Sequence, residues 1–493
     1  MRRKRDAKAS VTVYLALVFA VLISLLFTVI ENVRSQAAMM SLECSMDLAL
    51  YSVFAEFHRE LLEQYDLFFI DTGYGELPST DHVAGHLKGY LEDNFDLSLE
   101  DGAITPCDFL QMHVEQTEIT AFCRATDEDG AVFKRQAVAY MKEKYGISYL
   151  EELGGRLESC MRKVDENRLL ARDVEAERGA NRQRLEAVEI PPKKISETEY
   201  EEVRLENPAD AVPVGSAGIL HLVVEDVSAL SKETIHSGSY VSGRTVGKGS
   251  GLMGRDRPSK AEDLWYHEYL LDKCSFYTEP LQKAKLRYQA EYVIAGRDSD
   301  VENLKWVAGR LLFIREAANV VHLFSDSGKM AQAELAASAI AAILRAPDLL
   351  EPLKYSILFA WAYAESIYDV KQLLSGGKVP QIKDVKSWHY SLEGMLNFQS
   401  DLSGDPGPGA DDDPLEMEES GLSYKDYLRI LLLGVPERDS VFRMMDIIEM
   451  DIRQTEGNQN FYLDACIDFV RARVYAGSRF ADAWVIEREY FYF

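Results

Sequence analysis

Residues 9–30 read ASVTVYLALVFAVLISLLFTVI, a run without a charge, closed by Lys8 on one side and Glu31 on the other. As a helix rising 1.5 Å per residue it reaches about 33 Å, enough to cross a hydrocarbon core of about 30 Å. Ahead of it stand Arg2, Arg3, Lys4, Arg5 and Lys8 against Asp6 alone. The positive-inside rule then puts the N-terminus in the cytoplasm and everything after Ile30 outside; Arg34 opposes this, beside Glu31. The competing reading is a cleaved signal peptide, with Ser35-Gln36-Ala37 as a small-x-small cleavage site. The apolar run exceeds an h-region of about 7–15 residues, and Glu31 and Arg34 stand before the candidate site, which favours an uncleaved anchor.

The rest of the chain is acidic and able to build cores. Of 493 residues 47% are hydrophobic and 10% aromatic, and 81 acids against 54 bases give a net charge of −27. A body so charged repels nucleic acid and anionic headgroups, so no nucleic-acid partner is expected. Cys44, Cys107, Cys123, Cys160, Cys274 and Cys466 include no C-x-x-C pair, which removes the zinc and thioredoxin signatures. An external body permits disulfides, Cys107 with Cys123 among them, but scattered core cysteines are the simpler reading.

The order of elements predicts an α+β fold: a transmembrane helix continuing into a stalk, a small antiparallel sheet and a large helical block. Residues 1–30 are the cytoplasmic stub and membrane helix. Residues 31–130 hold a helical stalk to Tyr65, a strand over Asp66–Asp71, a helix over His82–Asn94 and a strand over Leu110–Arg124. On that strand, alternation puts His113, Glu115, Thr117 and Ile119 on one face and Val114, Gln116 and Glu118 on the other. Residues 131–190 form a projecting helical arm from Ala131, too polar beyond Val174 to pack. Residues 191–263 are irregular, ending in a flexible Gly/Ser-rich linker. Residues 264–400 are a helical block, nearly all helix over Leu264–Leu374, and 401–420 an acidic Pro/Gly loop. Residues 421–493 carry helices over Tyr424–Leu433 and Arg438–Arg453, then a hairpin turning near Ala476-Gly477-Ser478. The sheet should combine Asp66–Asp71, Leu110–Arg124 and this hairpin, bringing the end of the chain back to the stalk.

Four motifs invite a chemical reading, and none completes its chemistry. Asp71-Thr72-Gly73 follows Phe68-Phe69-Ile70 as in an aspartic protease, which needs two carboxylates sharing a proton. The only other such triplet, Asp326-Ser327-Gly328, ends a helical run, and Tyr74 replaces a small residue. Gly249–Gly254 (GSGLMG) matches G-x-G-x-x-G, yet no strand precedes it and Pro258 follows. His82 and His86 lie four apart without a third ligand. Asp411, Asp412 and Asp413 with Glu416, Glu418 and Glu419 lack the spacing of a calcium loop. No G-x-S-x-G is present. The sequence therefore assigns no catalytic residue, no cofactor-binding residue and no metal ligand.

Several long stretches carry a resemblance. They include SVTVYLALVFAVLISLLFTVIENVR at the start, ELLEQYDLFFID, NPADAVPVGSAGILHLV, EYVIAGRDSDVENL with LLFIREAANVVHL, AWAYAESIYDVKQLLSGGKVP and GLSYKDYLRILLL. Together they resemble uncharacterised single-pass proteins encoded with tight-adherence (Tad) pilus genes in clostridial bacteria, whose N-terminal region is similar to TadE/TadG-like pseudopilins. The resemblance implies a role at the cell surface with a pilus or secretion system; the non-catalytic expectation comes from the incomplete motifs above. It stops short at one point: pilin-type precursors carry a Gly before the cleavage point and an early Glu in the apolar segment. Here Ala9-Ser10 open the segment and the first acid is Glu31. The expectation is thus a membrane-anchored, outward-facing assembly component with pilus proteins and the bilayer as partners. The alternatives are a tethered surface hydrolase using Asp71 or the His82 region, or a partner-binding module on the arm Arg168–Val188.

Overall fold

The computed structural model describes residues 3–96, 110–146, 154–155, 162, 176–194, 200–201, 218–384, 386–395, 421–478 and 481–492. Two compact units are interleaved along the chain. The first collects Met1–Ala137, Thr245–Pro258 and Ile452–Phe493, and the second Val138–Arg244 and Ser259–Asp451.

Helix α1 (Arg3–Phe54) opens the first unit as a single element of 52 residues. Neither Pro nor Gly interrupts it. Side chains from Val11 through Val33 are exposed, whereas Ala38, Leu42, Met46, Ala49, Leu50, Val53 and Phe54 are buried. Among the described residues this is one helix long and apolar enough to cross a membrane. The stalk does not run on to Tyr65 as the composition predicts. It stops at Phe54, and α2 (Arg59–Tyr65) starts afresh. No breaker residue causes this. The His58 N–H donates to Phe69 O at 2.8 Å instead of continuing the helix. The His58 ring accepts from Leu61 N at 3.3 Å and caps α2. Asp66, at φ 54°, closes α2, so the expected strand over Asp66–Asp71 shrinks to β1 (Ile70–Asp71). Helix α3 (Thr80–Phe95) follows, capped by Ser79.

Four of the strands are two-residue pieces of the second unit, pairing β3 (Lys193–Lys194) with β4 (Tyr200–Glu201) and β5 (Lys378–Val379) with β6 (Leu422–Ser423). The long strands β2 (Met112–Arg124), β7 (Cys466–Ser478) and β8 (Ala481–Phe491) join β1 in one antiparallel sheet of the first unit. Central β7 pairs with β2 along one edge and with β8 and β1 along the other. This is the expected α+β sheet. The hairpin turns later than predicted: β7 continues to Ser478, which pairs with Ala481. The end of the chain does return to α1. Arg488 reaches Glu43 at 3.2 Å, and Tyr492 OH donates to Phe54 O at 2.5 Å.

Strand β2 breaks its own alternation. Its register slips between Val114 and Gln116, Ile119 and Ala121, and Cys123 and Arg124. The first two slips insert Glu115 and Thr120 of β2, each reversing which side of that strand faces the core, and the third inserts Asp468 of β7. Val114 and Ile119, on opposite faces by simple alternation, therefore both join the core. That core also holds Leu42, Met46 and Val53 of α1, Val83 and Leu87 of α3, and Val470, Ala472 and Val474 of β7. Burying each of the larger aliphatic chains stabilises the unit by ~1.5–3 kcal/mol.

The second unit is helical, as predicted: Asp263–Lys273, Gln289–Ala295, Asp300–Ser325, Ser327–Leu344, Leu350–Leu374, Tyr424–Leu432 and all but the last residue of Glu437–Ile452. The helix Leu350–Leu374 is buried around almost its whole circumference and acts as the axis. Charges on that axis are paired internally. Asp369 meets Arg315 Nε at 2.9 Å and Lys383 Nζ at 2.6 Å, and Glu365 accepts from Lys383 and, at 2.9 Å, from His389 N. The arm differs from expectation where it is described. Arg178 pairs with Glu316 at 2.9 Å, and buried Asn181 donates to Pro352 O and Ser356 Oγ, both at 2.9 Å. That segment packs rather than projects.

Glu291 is fully buried, and burial raises its carboxyl to about 7 despite hydrogen bonds from Tyr424 OH and Tyr277 N. A value above the ordinary 4.5 means that its contribution to stability is full below that pH and is lost as pH rises through about 7. Asp446, raised by burial to about 6, acts in the same direction. Glu291→Gln, which mimics the protonated acid, is expected to stabilise the second unit relative to the native chain by roughly 2–3 kcal/mol at pH 8 and hardly at pH 4.5. Denaturant unfolding of the intact chain at the two pH values checks this, and an equal effect at both would contradict it.

Candidate functional site

The corner after β1 gathers most of the residues singled out by sequence. Asp71 ends the strand, and its carboxylate accepts from Gly73 N at 2.8 Å, closing the turn. Thr72 Oγ donates to Ala465 O at 2.7 Å and ties the turn to the chain entering β7. A Cβ on Gly73 would lie 3.1 Å from both Asp71 Oδ1 and Glu76 O, which explains a glycine there. Burial pushes the Asp71 carboxyl upward against the Gly73 N–H and the neighbouring His58 and His82 rings. Burial likewise holds the His58 imidazole below its usual value, and its Nε2–H faces Asn458 Oδ1 at 3.2 Å. A histidine with one nitrogen accepting and one donating is neutral and fixed in tautomer.

The two spaced histidines do not converge. His82 Nδ1–H donates to Thr72 O at 3.1 Å, leaving Nε2 4.0 Å from Glu76. His86 turns the other way, 3.0 Å from Glu56, and stacks on Tyr74 with ring centroids 4.2 Å apart. Glu56, in the break between α1 and α2, also accepts from Tyr74 OH and Tyr90 OH, each at 2.7 Å. Burial works against its charge, but these three donors outweigh it and hold the carboxyl below its ordinary value. Sequence reading overlooked Glu56 because nothing local marks it; its partners lie 18, 30 and 34 residues away. No group of three metal-binding side chains occurs among the described residues.

Beside this corner a cleft of about 410 Å³ is lined by Glu76, Leu77, His82, Asn460 and Tyr462. It offers one carboxylate and one imidazole nitrogen to solvent. The titratable neighbours that act on Asp71 are histidines, whereas acid-protease chemistry needs a second carboxylate there. Asp326, the other candidate, belongs to the second unit and caps the helix Ser327–Leu344, accepting from Gly328 N and Lys329 N. The acids from Asp411 to Glu419 lie outside the described residues, as do Cys107 and Cys160. Cys123 is a free buried thiol whose Sγ–H donates to Gly251 O.

The glycine-rich stretch is not a flexible linker. Gly249 N and Gly251 N donate to the Asp127 carboxylate at 2.7 and 3.2 Å. Ser250 N donates to Phe122 O at 2.8 Å, and Leu252 N to Glu128 Oε1 at 3.3 Å. Asp127 begins α4 (Asp127–Tyr145), whose residues Glu128, Asp129 and Gly130 are left-handed, so helical backbone starts at Ala131. The stretch is thus a strap across the end of β2. It leads to Arg255, which grips buried Asp468 of β7 through two bonds of 2.8 Å. Its glycines serve close approach to protein carboxylates and carbonyls rather than to a dinucleotide.

With the geometry in place, kinship can be stated. Residues 198–478, more than half of the chain, match a family described as "Family of unknown function (DUF5702)", and the chain belongs to that family. No curated protein and no solved structure matches it. The matched stretch includes β7 but neither of its long partners, β2 and β8.

The strap gives a direct test. A Cβ at Gly249 would sit 2.3 Å from Asp127 Oδ2 and 2.8 Å from Phe122 O, too close to either. Gly249→Ala is expected to cost on the order of 2 kcal/mol in the first unit, from overpacking and displaced hydrogen bonds. Ser250→Ala should cost less than half of that. Thermal unfolding distinguishes them, and two equally mild variants would show a loose linker after all.

Proposed function

We propose that this chain is a membrane-anchored, outward-facing, non-catalytic component of a Tad-like type IV pilus or secretion system. The observation that carries the reading is the continuity of α1, one helix whose first part suits a bilayer and whose last part is the core of a folded sheet unit. A helix shared in this way transmits position and force between membrane and body without a hinge, which suits an assembly element. The basic residues Arg2–Lys8 support a cytoplasmic N-terminus. The Tad association rests on the sequence resemblance.

A tethered hydrolase is the alternative. The cleft at His82 is its best support. Against it stand the inward hydrogen bonding of Asp71 and the full engagement of Glu56.

Fractionation of native cells with external protease treatment checks the reading. The intact chain should sediment with membranes, lose its body to protease added outside, and yield by mass spectrometry an N-terminal peptide containing Arg2–Lys8. A mature chain beginning near Ala38, or an intact chain in the cytosol, would contradict it.

A further inference from the structure

Helix α1 carries a second apolar face. Val33, Ala37, Met40, Cys44, Leu48 and Tyr51 follow one another at steps of four, three, four, four and three residues, an average of 3.6, so they line one side of the helix. All are exposed, Met40 at 69% and Leu48 at 56%, and at the end of the stripe Tyr51 also meets the sheet, edge-on to Tyr490 with ring centroids 4.9 Å apart. The face packed in the sheet core carries Leu42, Met46, Ala49 and Val53 instead. The exposed stripe is about 27 Å long. Its phase continues back through Ile30 and Leu26 into the bilayer-length segment. Lipid can cover those earlier positions, but the stripe from Val33 onward emerges into water, where a continuous apolar ridge marks a contact surface.

We propose that this stripe is the seam on which a second copy of the chain docks in parallel. Two copies threaded through one bilayer in the same sense place identical residues at identical depth, so the ridge meets itself. The stripe holds no charge, and the acids flanking it are partly offset within the chain, two of them sharing one guanidinium. Glu43 and Asp47 meet Arg488 at 3.2 and 3.7 Å, and Glu31 meets Arg34 at 3.8 Å. The repulsion that a net charge of −27 imposes elsewhere is thereby reduced along this line. Cys44 lies midway and brings two thiols together at the seam. The inference rests on the reading of α1 as a membrane anchor, and not on the pilus association.

The test is oxidation of the full-length chain in native membranes with copper–phenanthroline, which takes two electrons from a pair of thiols and releases two protons as the disulfide forms. A disulfide-linked species of twice the chain mass is expected, abolished by reductant and by Cys44→Ser. In the Cys44→Ser background, Met40→Cys and Leu48→Cys should restore it roughly tenfold over Asn32→Cys, which is also exposed but off the stripe, because bridging needs Cα atoms within about 7 Å. Met40→Arg with Leu48→Arg, Cys44 retained, should suppress it. Equal cross-linking at Asn32→Cys, no dimer at any stripe position, or an adduct between Cys44 and a different protein would overturn the seam. A chain absent from the membrane fraction would overturn the anchor reading and the seam together, whereas a membrane-bound chain without the dimer overturns the seam alone.

Discussion

An α-helix turns about 100° per residue and cannot change phase without breaking. Because α1 is unbroken from Arg3 to Phe54, the docking of its last turns fixes how its whole length is rotated. Leu42, Met46, Ala49 and Val53 must face the sheet, and every other position follows from that choice. The sheet in turn needs the helix. Its inner face, Val470, Ala472, Val474 and Ala476 of β7, would otherwise lie open. The break at Ala55–His58 comes where the helix has passed this face and the chain must turn into β1.

Around that contact the first unit is closed by polar clamps rather than by more apolar surface. Glu56 joins the break after α1 to the turn before α3 and to α3 itself through Tyr74, His86 and Tyr90. Asp127 holds the glycine-rich strap, and Asp468 holds its far end through Arg255. Buried acids of this kind are costly unless each oxygen finds a donor. In the second unit the same logic appears with Asp369 and Glu365 on the axial helix, answered by Arg315 and Lys383.

Much of this was legible in the sequence. The bilayer-length run, the sheet strands, the helical block and the helix start at Ala131 all follow from periodicity and punctuation. What was not legible depends on partners far along the chain. No Pro or Gly announces the break after Phe54; Phe69 O causes it by capturing the His58 N–H. Gly249–Gly254 reads as flexible because its anchor, Asp127, is more than a hundred residues earlier. The bulges of β2 are set by register against β7, so simple alternation separated Val114 from Ile119. The ion network had a visible sign that went unused: Arg315 within LLFIREAANVV and Glu365 and Asp369 within AWAYAESIYDV are charges set in otherwise apolar helices. At the candidate site the structure separates His82 from His86 and gives Asp71 histidine neighbours instead of a carboxylate, placements that depend on tertiary packing and not on local spacing.

The central claim is that membrane segment and folded unit share one rigid helix. Hydrogen–deuterium exchange of the intact chain in lipid nanodiscs tests it most directly. The account predicts that amides from residue 31 to residue 53 exchange slowly and without a gap from those of the bilayer segment, with the first fast exchange at Phe57, just past Ala55 and Glu56, whose N–H groups still bond back to the helix. Fast exchange anywhere between residues 31 and 40 would show a hinge at the membrane surface and contradict it.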